Sequence, residues 1–251
     1  MIKCESLTVK FRKKTVLDNV SITIPPNKIT VIIGKNGSGK STLLKAIENT
    51  IPFMGEILID GAKNTNIKRN ILAKKISLMP QNLPTPHITV ETLVSYGRSP
   101  HIGISGQLTT KDITIVNNAI KLANLERLRN NYIDTLSGGE LRRAFYAMTE
   151  AQDTPIILLD EPTSNLDVTF KKEILKLIRQ SKTNDKTVAV ILHDINDAFE
   201  IADKLIVMDN GKHIFSGSPT EAEKEQIPQK IFGMEKVIYL NEKGTESVFY
   251  K

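Results

Sequence analysis

The chain has 251 residues, 40% hydrophobic and 25% charged, which suits one domain with a substantial core and room for a subdomain. Its one cysteine, Cys4, excludes an internal disulfide, and four dispersed histidines add none of the paired spacings of a structural zinc site. The net charge of +6 comes from scattered lysines and arginines without interleaved aromatic residues, so we expect no nucleic-acid partner. No apolar run approaches the roughly 18 residues of a membrane span, and the first residues lack the apolar stretch of a signal peptide.

The first thirty residues predict an antiparallel, strand-rich flap. Apolar and polar residues alternate through residues 7–11 and 16–24, and Pro25 and Pro26 end the pattern. Residues 30–33 are then β-branched and apolar, as in a buried parallel strand. The flap therefore leads into a core strand that ends at a glycine-rich loop.

This loop fits the pattern G-x-x-x-x-G-K-[ST] of a phosphate-binding loop. Its glycines can turn backbone N–H groups toward phosphate oxygens, Lys40 adds a positive charge for the terminal phosphates, and the Ser41 hydroxyl can ligate Mg²⁺. Residues 41–48 have helical spacing, so a helix dipole would face the anion. A Gly/Ser surface loop is the alternative, but the flanking strand and helix favour nucleoside triphosphate binding. The candidate ATP-binding residues of this phosphate loop are Gly34, Lys35, Asn36, Gly37, Ser38, Gly39, Lys40, Ser41 and Thr42.

Between about Asn82 and Asp153 the sequence changes character. Pro84 and Pro86 interrupt the chain, and the apolar spacing that follows has the period of helices rather than strands. The candidate helices span residues 90–96, 111–128 and 141–152. We therefore expect an α-helical subdomain, residues 85–153, inserted into the core.

The segments on either side of this insertion have the pattern of an α/β core. Strands are predicted at residues 55–61, 76–79, 155–161, 187–192, 204–208 and 213–215, with a hairpin turn at Asn210-Gly211 and a helix at 168–180. The predicted fold class is therefore α/β: residues 1–84 and 154–251 form a P-loop NTPase core with a mixed or parallel sheet. From about residue 219 the sequence predicts one short helix and weak strands, too few for a separate regulatory domain.

Two carboxylates, Asp160 and Glu161, end an apolar strand that we expect beside the phosphate loop, because ligands bind at the carboxyl ends of parallel strands. Asp160 would hold Mg²⁺ through a water molecule or through the coordination shell that includes Ser41. Glu161 would act as general base on the attacking water. By itself, a pair of carboxylates at a strand end is weak evidence for a hydrolase site. The phosphate loop earlier in the chain makes this interpretation stronger.

A second glycine-containing motif lies at residues 136–140. Ser137 and Glu140 have the spacing of a helix capping box, but a capping box does not need Gly138 and Gly139, which cost stability in the first turn. Glycines there would bare backbone N–H groups at a helix N-terminus, which favours a second anion contact. The motif therefore discriminates among classes of phosphate-loop proteins.

Taken together, the phosphate loop, residues 136–140, residues 160–167 and His193 resemble, in order and separation, the nucleotide-binding subunit of an ATP-binding cassette (ABC) transporter. The resemblance covers essentially the whole chain. It implies a homodimer in which two copies, head to tail, sandwich two ATP molecules. Each ATP would lie between the phosphate loop of one copy and the signature segment of the other, Ser137, Gly138, Gly139 and Glu140.

The resemblance also implies roles for single residues. Phe11 would stack on adenine, although by itself it would pass for a core residue. Gln81 would contact Mg²⁺ and water, and His193 would contact the γ-phosphate, although a lone histidine at a strand end is more often structural. Asp167 would lie in the loop that crosses the dimer. The implied catalytic residues are Glu161, His193 and Lys40, and the implied Mg²⁺ ligands are Ser41, Gln81 and Asp160.

This sequence departs from the family pattern at two positions of the site. Lys35 stands where proline is frequent, and Glu140 stands where glutamine is. Both positions vary in character, so neither departure casts doubt on hydrolysis.

Other segments are similar to the importer branch that takes up ferric siderophores, haem and cobalamin. They are residues 79–84, 89–94, 96–101, 152–155, 217–219 and 231–234. The alternative for residues 96–101 is a polar loop that merely ends a helix. The branch implies a peripheral location on the inner, cytoplasmic face of the cell membrane, integral membrane permease subunits and, indirectly, an extracytoplasmic substrate-binding protein. Ferric siderophore is the expected cargo because it is the commonest of the branch.

Several alternatives stay open at this point. The chain could serve a haem, cobalamin or other ABC transporter, including an exporter, or be a soluble ABC ATPase such as one for iron–sulfur assembly. Ribosome-associated members carry two cassettes and chromosome-type members need long heptad coils, and neither feature is present here. A phosphate-loop kinase or GTPase would not explain residues 136–140.

Overall fold

Sheets and helices alternate through the part of the chain that the computed structural model describes, residues 1–102, 106–240 and 246–251. The strands are β1 (Ile2–Phe11), β2 (Lys14–Ile24), β3 (Ile29–Gly34), β4 (Met54–Ile59), β5 (Ala62–Lys63), β6 (Ile76–Met79), β7 (Ile156–Asp160), β8 (Thr187–Ile191), β9 (Lys204–Asp209), β10 (Lys212–Gly217), β11 (Lys236–Leu240) and β12 (Glu246–Tyr250). The helices are α1 (Lys40–Ile47), α2 (Arg69–Leu72), α3 (Val90–Tyr96), α4 (Thr110–Leu122), α5 (Gly138–Ala151), α6 (Val168–Thr183), α7 (Ile195–Ile201), α8 (Pro219–Lys224) and α9 (Ile227–Phe232).

The central sheet has six strands in the order β10-β9-β3-β8-β7-β6. All neighbouring pairs in it are parallel except the β9–β10 hairpin. Every residue of β3, β7 and β8 is buried, as expected for short apolar strands covered on both faces. The prediction of an α/β fold with a mixed or parallel sheet is confirmed. The carboxyl ends of β3, β7 and β8 lie side by side and carry the phosphate loop, Asp160 and His193.

A second sheet, in the order β2-β1-β4-β5, is antiparallel throughout and corresponds to the predicted flap. Helix α1 contributes to the same apolar cluster as this sheet and one face of the central sheet. Its residues Leu43, Leu44 and Ile47 are fully buried there, and each such side chain stabilises the fold by about 1.5–3 kcal/mol. The helix that follows the phosphate loop is therefore held rigidly between two sheets.

Helices α3, α4 and α5 pack on one another at the junction formed by the residues that follow α3. The Arg98 side chain, 3% exposed, donates from Nε to Asp112 Oδ1 (2.9 Å) and from Nη1 to the Ala151 carbonyl (2.7 Å). His101 Nε2 lies 2.9 Å from the Gln152 carbonyl oxygen. Arg98 and His101 thus connect the turn that follows α3 to α4 and to the end of α5, whereas Tyr96 and Ser99 of the same segment are exposed.

Several predicted boundaries were wrong. Helix α4 ends at Leu122 instead of continuing to 128, because Asn124 takes a left-handed conformation (φ 53°) that breaks the helix. Helix α5 starts at Gly138 rather than Leu141, since Ser137 caps it. The C-terminal part contains two short helices, α8 and α9, where one was expected. No helix in the described ranges is long and apolar enough to cross a membrane.

Candidate active site

The phosphate loop connects β3 to α1 and closes around the Lys40 ammonium group. Lys40 Nζ donates to the carbonyl oxygens of Gly34 (2.8 Å) and Lys35 (3.0 Å). Gly39 favours glycine because its φ of 96° is strained for other residues, and because a Cβ there would lie 2.9 Å from the Val16 carbonyl oxygen of the flap. Burial lowers the pKa of Lys40, although the nearby carboxylates of Glu161 and Asp160 oppose this. The Lys40 ammonium group is therefore held at the phosphate loop, where it can bind phosphate oxygens.

Ser41 and Asp160 form the adjoining part of the site, at the ends of α1 and β7. The Ser41 hydroxyl donates to Asp160 Oδ1 over 2.9 Å, across 119 positions of sequence. Burial raises the pKa of Asp160; the Ser41 bond opposes the rise, whereas the Glu161 charge adds to it. A buried carboxylate beside a hydroxyl is an all-oxygen donor set, and a cation would offset its unfavourable burial. The residues present therefore fit Mg²⁺.

Glu161 follows β7 directly, and its carboxylate is held on both sides. Gln81 Nε2 donates to Glu161 Oε2 (2.5 Å), and His193 Nε2 lies 2.6 Å from Oε1. Glu161 has a positive φ of 53°, a conformation that costs a non-glycine residue about 1 kcal/mol or more. Arg142 Nη1 donates to the Glu161 carbonyl (3.1 Å) and Nη2 to Ser164 Oγ (2.7 Å), which fixes this turn. The result is a buried carboxylate aimed at the phosphate loop.

These groups share one cavity of about 660 Å³. Predicted site residues that line it are Asn36, Gly37, Ser38, Gly39, Lys40, Ser41, Thr42, Gln81, Glu161 and His193. Asp160, Gly34 and Lys35 do not line the cavity but are hydrogen-bonded to Ser41 or Lys40, which do. Phe11 does not line the cavity; it is 48% exposed and pairs across the β1–β2 turn with Lys14, which does.

Five lining residues were not anticipated as site residues: Lys14, Thr15, Val16, Asn210 and Gly211. The hairpin signal at Asn210-Gly211 predicted this turn, but it did not predict that the turn packs against the segment that contains Val16 and Asp18. In the structure, the Gly211 carbonyl accepts a hydrogen bond from Asp18 N (2.9 Å), and a Cβ on Gly211 would lie 2.4 Å from the Val16 carbonyl oxygen. Only the fold brings these two turns together, so no local pattern could have identified them.

The signature segment lies outside this cavity in the single chain. Ser137 caps α5 in the capping box that the sequence also allowed: Glu140 accepts from Ser137 N (2.9 Å) and Oγ (2.7 Å). Gly139 has a packing reason to be glycine, since a Cβ would lie 2.3 Å from the Phe170 ring. A Cβ on Gly138 would meet nothing within 4 Å. The structure thus brings together the phosphate loop, Gln81, Asp160, Glu161 and His193, but not residues 137–140.

Asp167 and its helix connect the site to α7. The Asp167 carboxylate caps α6 by accepting from Thr169 N (2.9 Å) and Phe170 N (3.0 Å). One turn later, Lys171 Nζ lies 2.6 Å from Asp194 Oδ2 and 2.7 Å from Asp197 Oδ2. Burial opposes the charge on Lys171, but these two carboxylates raise its pKa overall. Because Asp194 adjoins His193, Lys171 joins the Asp167 helix to the histidine, a link that the sequence did not indicate.

Several known proteins are similar to this chain. A family model described as ABC transporter matches residues 17–164, more than half of the chain. The petrobactin import ATP-binding protein YclP of Bacillus subtilis (strain 168) is 38% identical over 237 residues, 93% of each chain. The ferric enterobactin transport ATP-binding protein FepC of Escherichia coli (strain K12) is 36% identical, over 93% of this chain and 87% of that protein. The dimeric structure of MJ0796, a bacterial ABC transporter cassette, has 29% identity and a TM-score of 0.77, over 87% of this chain and 99% of that one.

Proposed function

Because the chain belongs to the ABC transporter family of ATP-binding proteins, we propose that it energises the import of a ferric siderophore through a separate membrane permease. The chain is an ABC-type ATPase. The observation that carries the proposal is the Glu161 carboxylate held between Gln81 and His193 beside the phosphate loop. The cargo rests on the petrobactin and enterobactin named for the relatives.

Each residue of the site has a task in hydrolysis. The phosphate loop and Lys40 bind the β- and γ-phosphates, and Ser41 and Asp160, with Gln81 nearby, would hold Mg²⁺. Mg²⁺, when bound, supplies charge neutralisation on the phosphate oxygens. Glu161 accepts the proton of the attacking water, and His193 donates a hydrogen bond to the γ-phosphate. A general base contributes about 10²–10⁴-fold to such a reaction.

A second copy of the chain completes the site in this proposal. Residues 137–140 do not reach the cavity of their own chain, so they are free to contact ATP bound by the other copy. Asp167 lies at the start of α6, next to Val168, whose side chain is 66% exposed and would be covered in such a dimer. Phe11, exposed beside the cavity, would stack on the adenine.

The permease would dock on the inserted helices, residues 85–153, and on the loop that carries Gln81. Gln81 contacts Glu161 directly, so movement of this loop would change the position of the catalytic carboxylate. The chain would then lie on the inner face of the cell membrane and depend on an extracytoplasmic substrate-binding protein for its cargo. ATP binding would close the dimer, and hydrolysis would reset it.

Uptake of a radiolabelled ferric siderophore tests this function. Cells that lack the native gene receive either the native chain or Glu161→Gln, and uptake of a ferric hydroxamate and a ferric catecholate is compared. We expect uptake with the native chain and none above background with the variant. If both complexes are excluded but haem or cobalamin enters only with the native chain, the cargo is wrong and the importer assignment stands. If none of the four depends on the chain, the importer assignment is wrong.

A further inference from the structure

Arg142, in the second turn of α5, connects this helix to the turn that carries Glu161. Its Nη1 donates to the Glu161 carbonyl oxygen (3.1 Å), and its Nη2 donates to the Ser164 hydroxyl (2.7 Å). The Ser164 N–H donates to the same Glu161 carbonyl oxygen (3.2 Å) and closes the turn. One side chain of α5 therefore binds both ends of the turn that begins at the proposed general base.

The turn needs such support because Glu161 has a left-handed backbone conformation. A non-glycine residue keeps a φ of 53° only where its surroundings hold it there. Arg142 can hold it firmly, since hydrogen bonds from a charged donor are roughly twice as strong as those between neutral groups. Burial lowers the pKa of Arg142, and the Glu161 charge opposes this shift. The half-buried cation and the glutamate turn thus depend on each other.

The same side chain lies one helical turn from the signature segment. Arg142 follows Gly138 by four positions, so both lie on one face of α5, and both line a cavity of about 310 Å³ with Gln81. The next residue, Arg143, is directed to α6 instead, where it pairs with Glu173 over 3.3 Å. A helical turn rises only about 5.4 Å and is held by backbone hydrogen bonds. A displacement of Gly138 therefore moves Arg142 with it.

We propose that Arg142 is a positioning residue that couples the signature segment to Glu161 of its own chain. When residues 137–140 contact the ATP bound by the second copy, they fix the start of α5. Arg142 then holds the Glu161 turn in the conformation in which the carboxylate accepts a proton from water. In the dimer, ATP bound at one site thereby controls the general base of the other site, a consequence that rests on the proposed function.

Steady-state ATPase kinetics of Arg142→Met test the positioning role. The substitution keeps the apolar stem and removes the donors, so we expect kcat to fall about tenfold. KM for ATP should not change, because Arg142 does not line the nucleotide cavity. The matched control is Arg179→Met: Arg179 also donates to a backbone carbonyl and a side-chain oxygen, both of Glu200 (3.0 and 2.8 Å), but outside that cavity. An unchanged kcat in Arg142→Met, or an equal loss in both variants, overturns the proposal.

A double-mutant cycle with Ser164→Ala tests whether Arg142 acts through this turn. Ser164→Ala removes one acceptor of Arg142 and keeps the backbone bond to Glu161. We expect this change to lower kcat about threefold in the native chain, with KM unchanged, and to have no further effect in Arg142→Met. If Ser164→Ala has the same effect in both backgrounds, the proposal is wrong. Ser164→Ala by itself tests the contact if Arg142→Met does not fold, and an unchanged kcat then overturns the proposal.

Mixed dimers test which ATP site Arg142 serves. One chain carries Glu161→Gln, so hydrolysis depends on Glu161 of the other chain; the dimers are isolated through two affinity tags and assayed in a single turnover. Arg142→Met in the chain with the intact glutamate should slow hydrolysis about tenfold. The same substitution in the Glu161→Gln chain, whose signature segment contacts the ATP being hydrolysed, should leave the rate unchanged. The reverse pattern, or an equal loss in both dimers, overturns the proposal.

These measurements separate this proposal from the proposed function. A wrong siderophore assignment would change none of them, because they need only ATP, Mg²⁺ and the chain. If light scattering shows that Glu161→Gln stays monomeric with ATP, the dimer arrangement is wrong. The comparison of kcat between Arg142→Met and Arg179→Met would still decide whether Arg142 positions Glu161 within its own chain.

Discussion

The two surfaces that we propose contact ATP, the phosphate-loop side and the signature segment, are built in different ways. On the phosphate-loop side, hydrogen bonds join residues far apart in sequence: Ser41 to Asp160 across 119 positions and Gln81 to Glu161 across 80. In the signature segment, Ser137 and Glu140 bond each other across three positions. The first side is completed by its own chain, and the second is locally satisfied and stands away from the cavity.

The difference indicates how catalysis depends on assembly. In the proposed mechanism, one folded chain is enough to bind ATP, because hydrogen bonds within that chain already position Lys40, Ser41 and Glu161. Hydrolysis in the proposed dimer requires a second chain, because residues 137–140 do not reach their own cavity. Changes on the two sides should therefore separate binding, association and turnover.

The largest effect should come from Glu161→Gln. The amide keeps the size of the side chain but cannot accept a proton, so we expect kcat to fall by about 10²-fold or more while ATP still binds. ATP-bound dimers should then accumulate. Light scattering with saturating ATP and Mg²⁺ measures this, and a variant that stays monomeric there would contradict the sandwich arrangement.

A smaller but more selective effect is expected on the signature side. In Gly139→Ala the new Cβ meets the Phe170 ring, so we expect a loss of about 1–3 kcal/mol in the free energy of unfolding and reduced ATPase activity, with ATP binding to the single chain unchanged. Chemical denaturation and nucleotide titration measure the two quantities. Gly138→Ala is the matched control, since its Cβ meets nothing and its unfolding free energy should not fall. Equal destabilisation by both substitutions would show that the Phe170 contact is not the cause.

The link between the Asp167 helix and His193 gives a third, milder test. Lys171→Met leaves Asp194 and Asp197 without their cation and loosens the residue next to His193. Because Lys171 does not line the cavity, we expect kcat to fall about fivefold, the equivalent of about 1 kcal/mol, with KM for ATP unchanged. Lys172→Met, an exposed neighbour, should leave kcat unchanged, and Lys171→Arg should restore part of it. A rise in KM without loss of kcat would contradict a positioning role.

The smallest effect concerns the helices that carry the signature segment. The Asp112 pKa is lowered from 3.8 to about 2, chiefly by hydrogen bonds from Thr109 and also by Arg98. A lowered folded-state pKa contributes stability above pH 3.8 that is lost as pH falls toward 2. Asp112→Asn should therefore be less stable than the native chain at pH 7, and the difference should narrow in that acid window. Denaturation curves at several pH values measure the difference in unfolding free energy between the two chains. If this difference does not change with pH, the lowered pKa of Asp112 is not its cause.

Much of the fold followed from the sequence because its signals are local. The buried runs of β3, β7 and β8 are short and apolar, and the phosphate loop has a fixed pattern between a strand and a helix. Boundaries were less well predicted where one residue decides them. Asn124 ends α4 by its left-handed conformation, and Ser137 starts α5 three residues early, although the capping box was visible.

By itself, the sequence determined the α/β class, the phosphate loop and the carboxylates that end a buried strand, because a nucleotide site requires these residue types at these spacings. Only the tertiary structure decided that Gln81 and His193 hold Glu161 and that Lys171 joins α6 to α7. These contacts join segments that no periodicity relates. Their partners are selected by the packing of helices on the sheet, and that packing exists only in the folded chain.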